Sequence, residues 1–164
     1  MILLDTNILS TFAKIRRLDL LEKIFEGTRG ISPGVFEEIS EAHKRGYAHA
    51  KDILQLLQNK KLQIITLVEE EKELANQLPA SFGKGERDSI AYALRKNITV
   101  VTNERRVLNF CKRNKVTALS LNVLLRFLWE ERILTKSEVE QIIQQIEIED
   151  KILIPSKKEI LEEY

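Results

Sequence analysis

Five short runs of strand length recur along the chain, each separated from the next by a stretch of helical spacing. They are Ile2 to Asp5, Thr28 to Ile31, Leu62 to Thr66, Ile98 to Thr102 and Val116 to Leu119. The first and fourth are almost continuously apolar, as expected of strands buried on both faces. The intervening stretches carry apolar residues at three- and four-residue intervals, as in Ile8, Leu9 and Phe12, or Ile90, Ala93 and Leu94. Strands that alternate with helices cannot pair as hairpins. The expected class is therefore α/β: a three-layer α/β/α sandwich with a central parallel sheet.

Local signals place the helices. Asn7 to Lys14 and Leu18 to Phe25 come first, the second closed by Gly27. Ser32-Pro33 opens another, with Ser as N-cap and Pro at the first helical position, and it stops near Gly46. Ala48 to Gln58, Glu69 to Gln77, Glu86 to Lys96 and Glu104 to Arg113 follow, then Asn122 to Glu131 and Ser137 to Ile148. Residues 1–149 read as one domain. Residues 150–164 read as a C-terminal tail with its own apolar segment, Ile152-Leu153-Ile154.

Charge and cysteine usage exclude several classes. The 26 Lys and Arg nearly cancel the 25 Asp and Glu, so any affinity for nucleic acid rests on a local patch. Cys111 is the single cysteine, which rules out an internal disulfide and a thiolate zinc cluster. The first acid arrives after three apolar residues, too soon for a secretory signal, and the apolar runs fall short of the roughly 18 residues of a membrane span. A cytoplasmic protein without membrane contact is expected.

Function turns on where the acids fall. In parallel sheets the site lies beyond the carboxyl ends of the strands. Asp5 ends the first strand, Glu104 follows the strand that ends at Thr102, and Glu86 opens a helix. An acid placed like Asp5 costs free energy unless it is hydrogen-bonded, paired or bound to a metal. Read alone, Asp5 is equally a helix cap, Glu37, Glu38 and Glu41 a solvated helix face, and Glu86 a complement to a helix dipole.

Four motifs in order tip the balance. Ile2-Leu3-Leu4-Asp5-Thr6-Asn7-Ile8-Leu9, Ser32-Pro33-Gly34-Val35-Phe36-Glu37-Glu38-Ile39, Gly85-Glu86-Arg87-Asp88-Ser89-Ile90-Ala91-Tyr92-Ala93-Leu94 and Val100-Val101-Thr102-Asn103-Glu104-Arg105-Arg106 together resemble the PIN-domain nucleases, including the VapC toxins. The resemblance spans about residues 2 to 120 and implies Mg²⁺- or Mn²⁺-dependent cleavage of RNA phosphodiester bonds. Crowded carboxylates repel one another; a divalent cation relieves that repulsion and activates water for attack on phosphorus.

Carried over residue by residue, the resemblance makes Asp5, Glu38, Glu86 and Glu104 the catalytic acids, with Asp5, Glu86 and Glu104 as metal ligands. Asn7, Thr102 and Asp88 are supporting residues. Glu38 is preferred to Glu37 because it directly precedes Ile39, and Glu86 to Asp88 by its distance to Thr102. Most members of the family it resembles carry Asp or Asn where this chain has Glu104. Lys84, Arg87, Arg105 and Arg106 flank the third and fourth motifs and are candidates for RNA phosphates.

The resemblance further implies the toxin of a toxin–antitoxin pair, held by an antitoxin whose peptide enters the acidic groove. A homodimer is also expected, because Leu124, Leu125, Phe127 and Leu128, with the following helix, look like more apolar surface than one small core needs. One competing reading is a catalytically inactive PIN-fold RNA-binding or scaffold protein, favoured by Glu104. Another is a phosphatase or DNA nuclease with the same metal chemistry. His43 and His49 lack the spacing of a paired metal site, and Gly83-Lys84-Gly85 lacks the full phosphate-loop pattern.

Overall fold

The computed structural model describes residues 1–163, so the last residue of the expected tail, 164, lies outside it. Five strands form one parallel sheet: β1 (Ile2–Leu4), β2 (Arg29–Ile31), β3 (Gln63–Ile64), β4 (Thr99–Val101) and β5 (Ala118–Leu119). Their spatial order is β3-β2-β1-β4-β5. The register sets Leu3 opposite Gly30 on one side and Val100 on the other, with Leu4 opposite Val101.

Helices fill both faces, as the strand composition demands. Leu3, Leu4, Val100 and Val101 are all at most 1% exposed. Leu4 and Val101 pack with α1 (Thr6–Lys14), α3 (Pro33–Lys44) and α4 (Ala48–Gln58), and with α8 (Leu121–Glu130) and α9 (Lys136–Glu149). Val100 packs on the other face with α5 (Glu69–Gln77), α6 (Lys84–Lys96) and α7 (Arg105–Arg113). α2 (Asp19–Ile24) joins the first layer through Leu20 and Leu21. This is the three-layer α/β/α sandwich expected from the strand–helix alternation.

Chain order and spatial order diverge at the centre. From β1 the chain proceeds outward to β2 and β3, then crosses back over the sheet through α5 and α6 to enter as β4 on β1's other side. Connections leaving β1 and β4 thus run to opposite faces. The crevice this opens lies at the carboxyl ends of those two strands.

Strand limits came out one to three residues shorter than expected, at β1 because the terminal residue turns away to cap a helix. Asp5 leaves the sheet to cap α1, its Oδ1 accepting from Thr6 N–H at 2.9 Å. Ser32 caps α3 as expected, its Oγ accepting from Val35 N–H at 3.2 Å, with Pro33 at the first position.

The C-terminal region departs furthest from expectation. Leu124, Leu125 and Leu128 are at most 1% exposed and share the main core with Val139, Ile142, Ile143 and Ile146 of α9. Beyond 150, Ile154 and Ile160 are buried in that same core, the latter on α10 (Lys157–Leu161). Trp129 Nε1–H donates to Ile160 O at 2.7 Å. Leu124, Leu125 and Leu128 of the expected dimer face are thus covered by the chain itself, while Phe127 of the same stretch stays half-buried. Asp150 ties the start of this segment to α1, accepting from Lys14 Nζ at 2.7 Å and from Thr11 Oγ1 at 2.5 Å.

Candidate active site at the carboxyl edge of the sheet

Asp5 stands where β1 ends, its own N–H bonded to Val101 O of β4 at 2.9 Å. Its side chain is only 4% exposed. Thr102 Oγ1–H donates to Asp5 Oδ2 at 2.8 Å, and Glu104 N–H donates to Thr102 Oγ1 at 3.2 Å. Asn7 closes the network. Its Nδ2 reaches Asp5 Oδ2 and Thr102 Oγ1 at 3.4 Å each, while its Oδ1 accepts from Asn103 N–H at 3.1 Å. The first and fourth sequence motifs are thereby stitched together across neighbouring strands.

The second motif joins through Thr6, a residue whose polarity stood out in the sequence but which received no site role there. Thr6 Oγ1–H donates to Glu38 Oε2, and Gly85 N–H donates to Glu38 Oε1 at 3.2 Å. Glu37 turns the other way, pairing with Lys84 Nζ at 2.8 Å on the surface. One carboxylate of the Glu37-Glu38 pair therefore faces Asp5's neighbour and the other faces solvent. The signal for Thr6 was present: it sits between Asp5 and Asn7, where one helix cap needs no second hydroxyl.

Two glycines make this junction possible. A Cβ on Gly34 would lie 2.6 Å from Gly85 N, and one on Gly85 would lie 2.9 Å from Glu38 Oε1. Ser32 Oγ–H donates to Gly85 O at 3.1 Å, binding the N-terminal ends of α3 and α6 together. Glu86 lies on the first turn of α6, its Oε2 accepting from Gly83 N–H at 2.9 Å. Asp88 lies one half-turn round the same helix and bonds Gly34 N–H at 2.9 Å, away from Asp5.

Electrostatics register the crowding. Burial pushes the Asp5 carboxyl up to about 7; Thr102 opposes this, and the charges of Glu86 and Glu38 add to it. Glu86 is also raised, first by burial and then by Glu104 and Glu38, with its Gly83 hydrogen bond opposing. Asp88 is raised chiefly by burial, opposed by its Gly34 bond and by Lys84. Asp5, Glu38, Glu86 and Glu104 thus share one electrostatic neighbourhood at the sheet edge.

The donor set suits a hard divalent ion. All four groups offer oxygen, and two of them are held up in pKa by burial and mutual repulsion, which a cation would relieve. Among the described residues, no three His, Cys, Asp or Glu side chains already stand in a metal-holding array. The fit is therefore to an ion that takes one or two carboxylates directly and keeps water elsewhere.

The basic candidates divide. Arg105 and Arg106 open α7 beside Glu104, where cations oppose the helix dipole; Arg106 Nε lies 3.4 Å from Glu104 Oε1. Lys84 is engaged with Glu37, and Arg87 borders a cleft that Glu86 does not line. A roomy cleft of about 930 Å³ opens around Lys14 and His49 at the far end of α1. That helix is nine residues long, which puts the cleft roughly 14 Å from Asp5.

No helix among the described residues is long and apolar enough to cross a membrane. A search of curated proteins finds no match. A family model described as a PIN domain matches residues 1–161. That match runs from the first strand through the last helix, and the chain therefore belongs to the PIN-domain family, whose members are generally nucleases that depend on divalent metal ions.

Proposed function

We propose that this PIN-domain protein is an endoribonuclease that hydrolyses RNA phosphodiester bonds with Mg²⁺ or Mn²⁺, and that it serves as the toxin of a toxin–antitoxin pair. The observation that carries the reading is Asp5: a carboxyl 4% exposed, at the carboxyl end of a central strand, with its pKa raised to about 7. A purely structural cap gains nothing from such a burden.

Asp5, Glu86 and Glu104 would hold the ion, one or two of them directly and the rest through its water, with Glu38 beside them. A divalent cation supplies activated water and charge neutralisation at the phosphate. The chain's part is positioning. Thr102, Asn7 and the Thr6 N–H fix both oxygens of Asp5, so the carboxylate needs little reorganisation on binding. Gly85 N–H and Thr6 fix Glu38 in the same way. Arg105 and Arg106 lie where a phosphate strand would approach Glu104. Cytoplasmic action, an antitoxin whose peptide covers these acids and a homodimer belong to the same proposal.

One feature favours an RNA-binding scaffold instead: each acid already has a partner, down to the long contact of Glu104 with Arg106. Incubation of mixed RNA and DNA pools with Mg²⁺ or Mn²⁺ separates the readings. Asp5→Asn and Glu86→Gln should each lower RNA cleavage by orders of magnitude, Glu38→Gln likewise, while Glu37→Gln and Asp88→Asn cost far less. Full cleavage by a folded Asp5→Asn protein would sink the proposal, and preference for the DNA pool would overturn its substrate.

A further inference from the structure

On the side of α6 away from Glu86 lies a cleft that the acids do not use. Its volume is about 670 Å³, within the range of small-ligand sites, and it is walled by the end of β3, by α5 and by the start of α6. Its floor is apolar, built from the buried side chains of Ile65, Leu67 and Ala75. Its rim is basic. Lys84 is satisfied by Glu37, but Lys72 and Arg87 make no side-chain hydrogen bond or ion pair among the described residues, although the charge of Arg87 is felt by its neighbour Asp88.

Arg87 is the informative one. Its Nε is shut off from solvent and has no hydrogen-bond partner, although the guanidinium borders an open cleft. A desolvated guanidinium N–H without an acceptor is unfavourable, and a group that offers two oxygens side by side satisfies it together with a terminal amine. Phosphate is such an acceptor.

We infer that this cleft is a nucleotide subsite, taking one nucleotide of a single-stranded RNA whose neighbouring phosphate lies at the acids. Arg87 and Lys72 hold the phosphate, the floor carries the base, and the unpartnered amide of Asn76 meets the base edge. This rests on the nuclease reading proposed above. A free inorganic anion would have no use for the apolar floor, and an apolar ligand none for the cations. Asp88 also borders the cleft. Anchored through Oδ2 by Gly34 N–H, it leaves an acceptor for a ribose or base donor, which a bare phosphate lacks. The helix between this cleft and Glu86 is about 10 Å across, so a strand laid over its first turn reaches both.

The test uses the full chain and a short fluorescent single-stranded RNA of mixed sequence. Binding is read by anisotropy in EDTA over a salt series, and cut positions are mapped separately with Mn²⁺. Arg87→Ala should weaken binding about tenfold and reduce the salt slope by about one; Lys72→Ala should act in the same direction. Asn76→Ala should leave the salt slope alone and change which base is preferred at a fixed distance from the cut. Thr66→Trp, at an exposed rim position, should block the cleft and weaken binding. Lys72 and Thr66 are exposed, so their variants decide the matter even where Arg87→Ala disturbs folding. Wild-type cleavage with all four variants binding and cutting like wild type overturns the subsite alone. A wild-type protein that neither binds nor cuts RNA overturns the nuclease reading and the subsite with it.

Discussion

Replacing Asp5 by Asn should remove the largest single source of stability loss with rising pH in the metal-free protein. The folded carboxyl titrates near 7, against 3.8 for the ordinary group. Between those values the unfolded chain has lost the proton and the folded chain has kept it. The folded state then binds more protons, so stability falls as pH rises, the opposite of a salt-bridged carboxylate. The slope is about 1.4 kcal/mol per pH unit, ending near pH 7, which makes the loss from pH 5 to pH 8 about 2.5 kcal/mol. Asn has no proton to lose. It does forfeit one hydrogen bond, because Thr102 Oγ1–H and Thr6 N–H both need an acceptor and a carboxamide has one oxygen. That deficit, about 1 kcal/mol, is the same at both pH values and cancels in the comparison. Urea melts of both proteins in EDTA, at pH 5 and pH 8, measure the difference. The variant should gain about 2.5 kcal/mol on wild type between the two. Parallel pH profiles would refute the reasoning, since they would mean that Asp5 is already ionised in the fold at pH 5. Mn²⁺ added at pH 8 should raise the wild-type midpoint and leave the variant's unchanged.

Two further outcomes test the scaffold. Gly34→Ala puts a Cβ 2.6 Å from backbone N of Gly85, with no flexible side chain to yield, so it should cost about 1–3 kcal/mol in a thermal or urea melt and lower activity by parting α3 from α6. A wild-type melting curve would show that the crossing relaxes. Asp150→Ala removes the acceptor of both Lys14 and Thr11, and a loss of about 1–2 kcal/mol in urea stability is expected, with cleavage per folded molecule unchanged.

What could be read from the residues follows the range of the forces involved. Strand β1 and helices α4 and α5 were legible because their signals are local: a short apolar run, a 3.6-residue period, a cluster of acids at a helix start. The meeting of Asp5 with Thr102 was legible too, since each sits at the end of a recognisable strand. Other features depend on which surfaces happen to meet. Leu124, Leu125 and Leu128 carry the same apolar pattern whether a second copy or α9 covers them. Glu37 and Glu38 are chemically identical neighbours, and only the crossing of α3 over α6 turns one toward Thr6 and the other toward Lys84. The cleft between β3, α5 and α6 draws residues from three elements without a common motif, so no single stretch announces it.

The position of β1 at the middle of the sheet also orders events in time. Its neighbour β2 is synthesised soon after it, but β4, which supplies the acceptor for Asp5 N–H, comes only after residue 98. Domains assemble as they leave the ribosome, and pairing across so long a loop is late and slow. Until the returning strand docks beside the first, Asp5 lacks both Thr102 and Glu104. A chain caught partway through translation therefore carries the acid of its first motif without the partners that fix it.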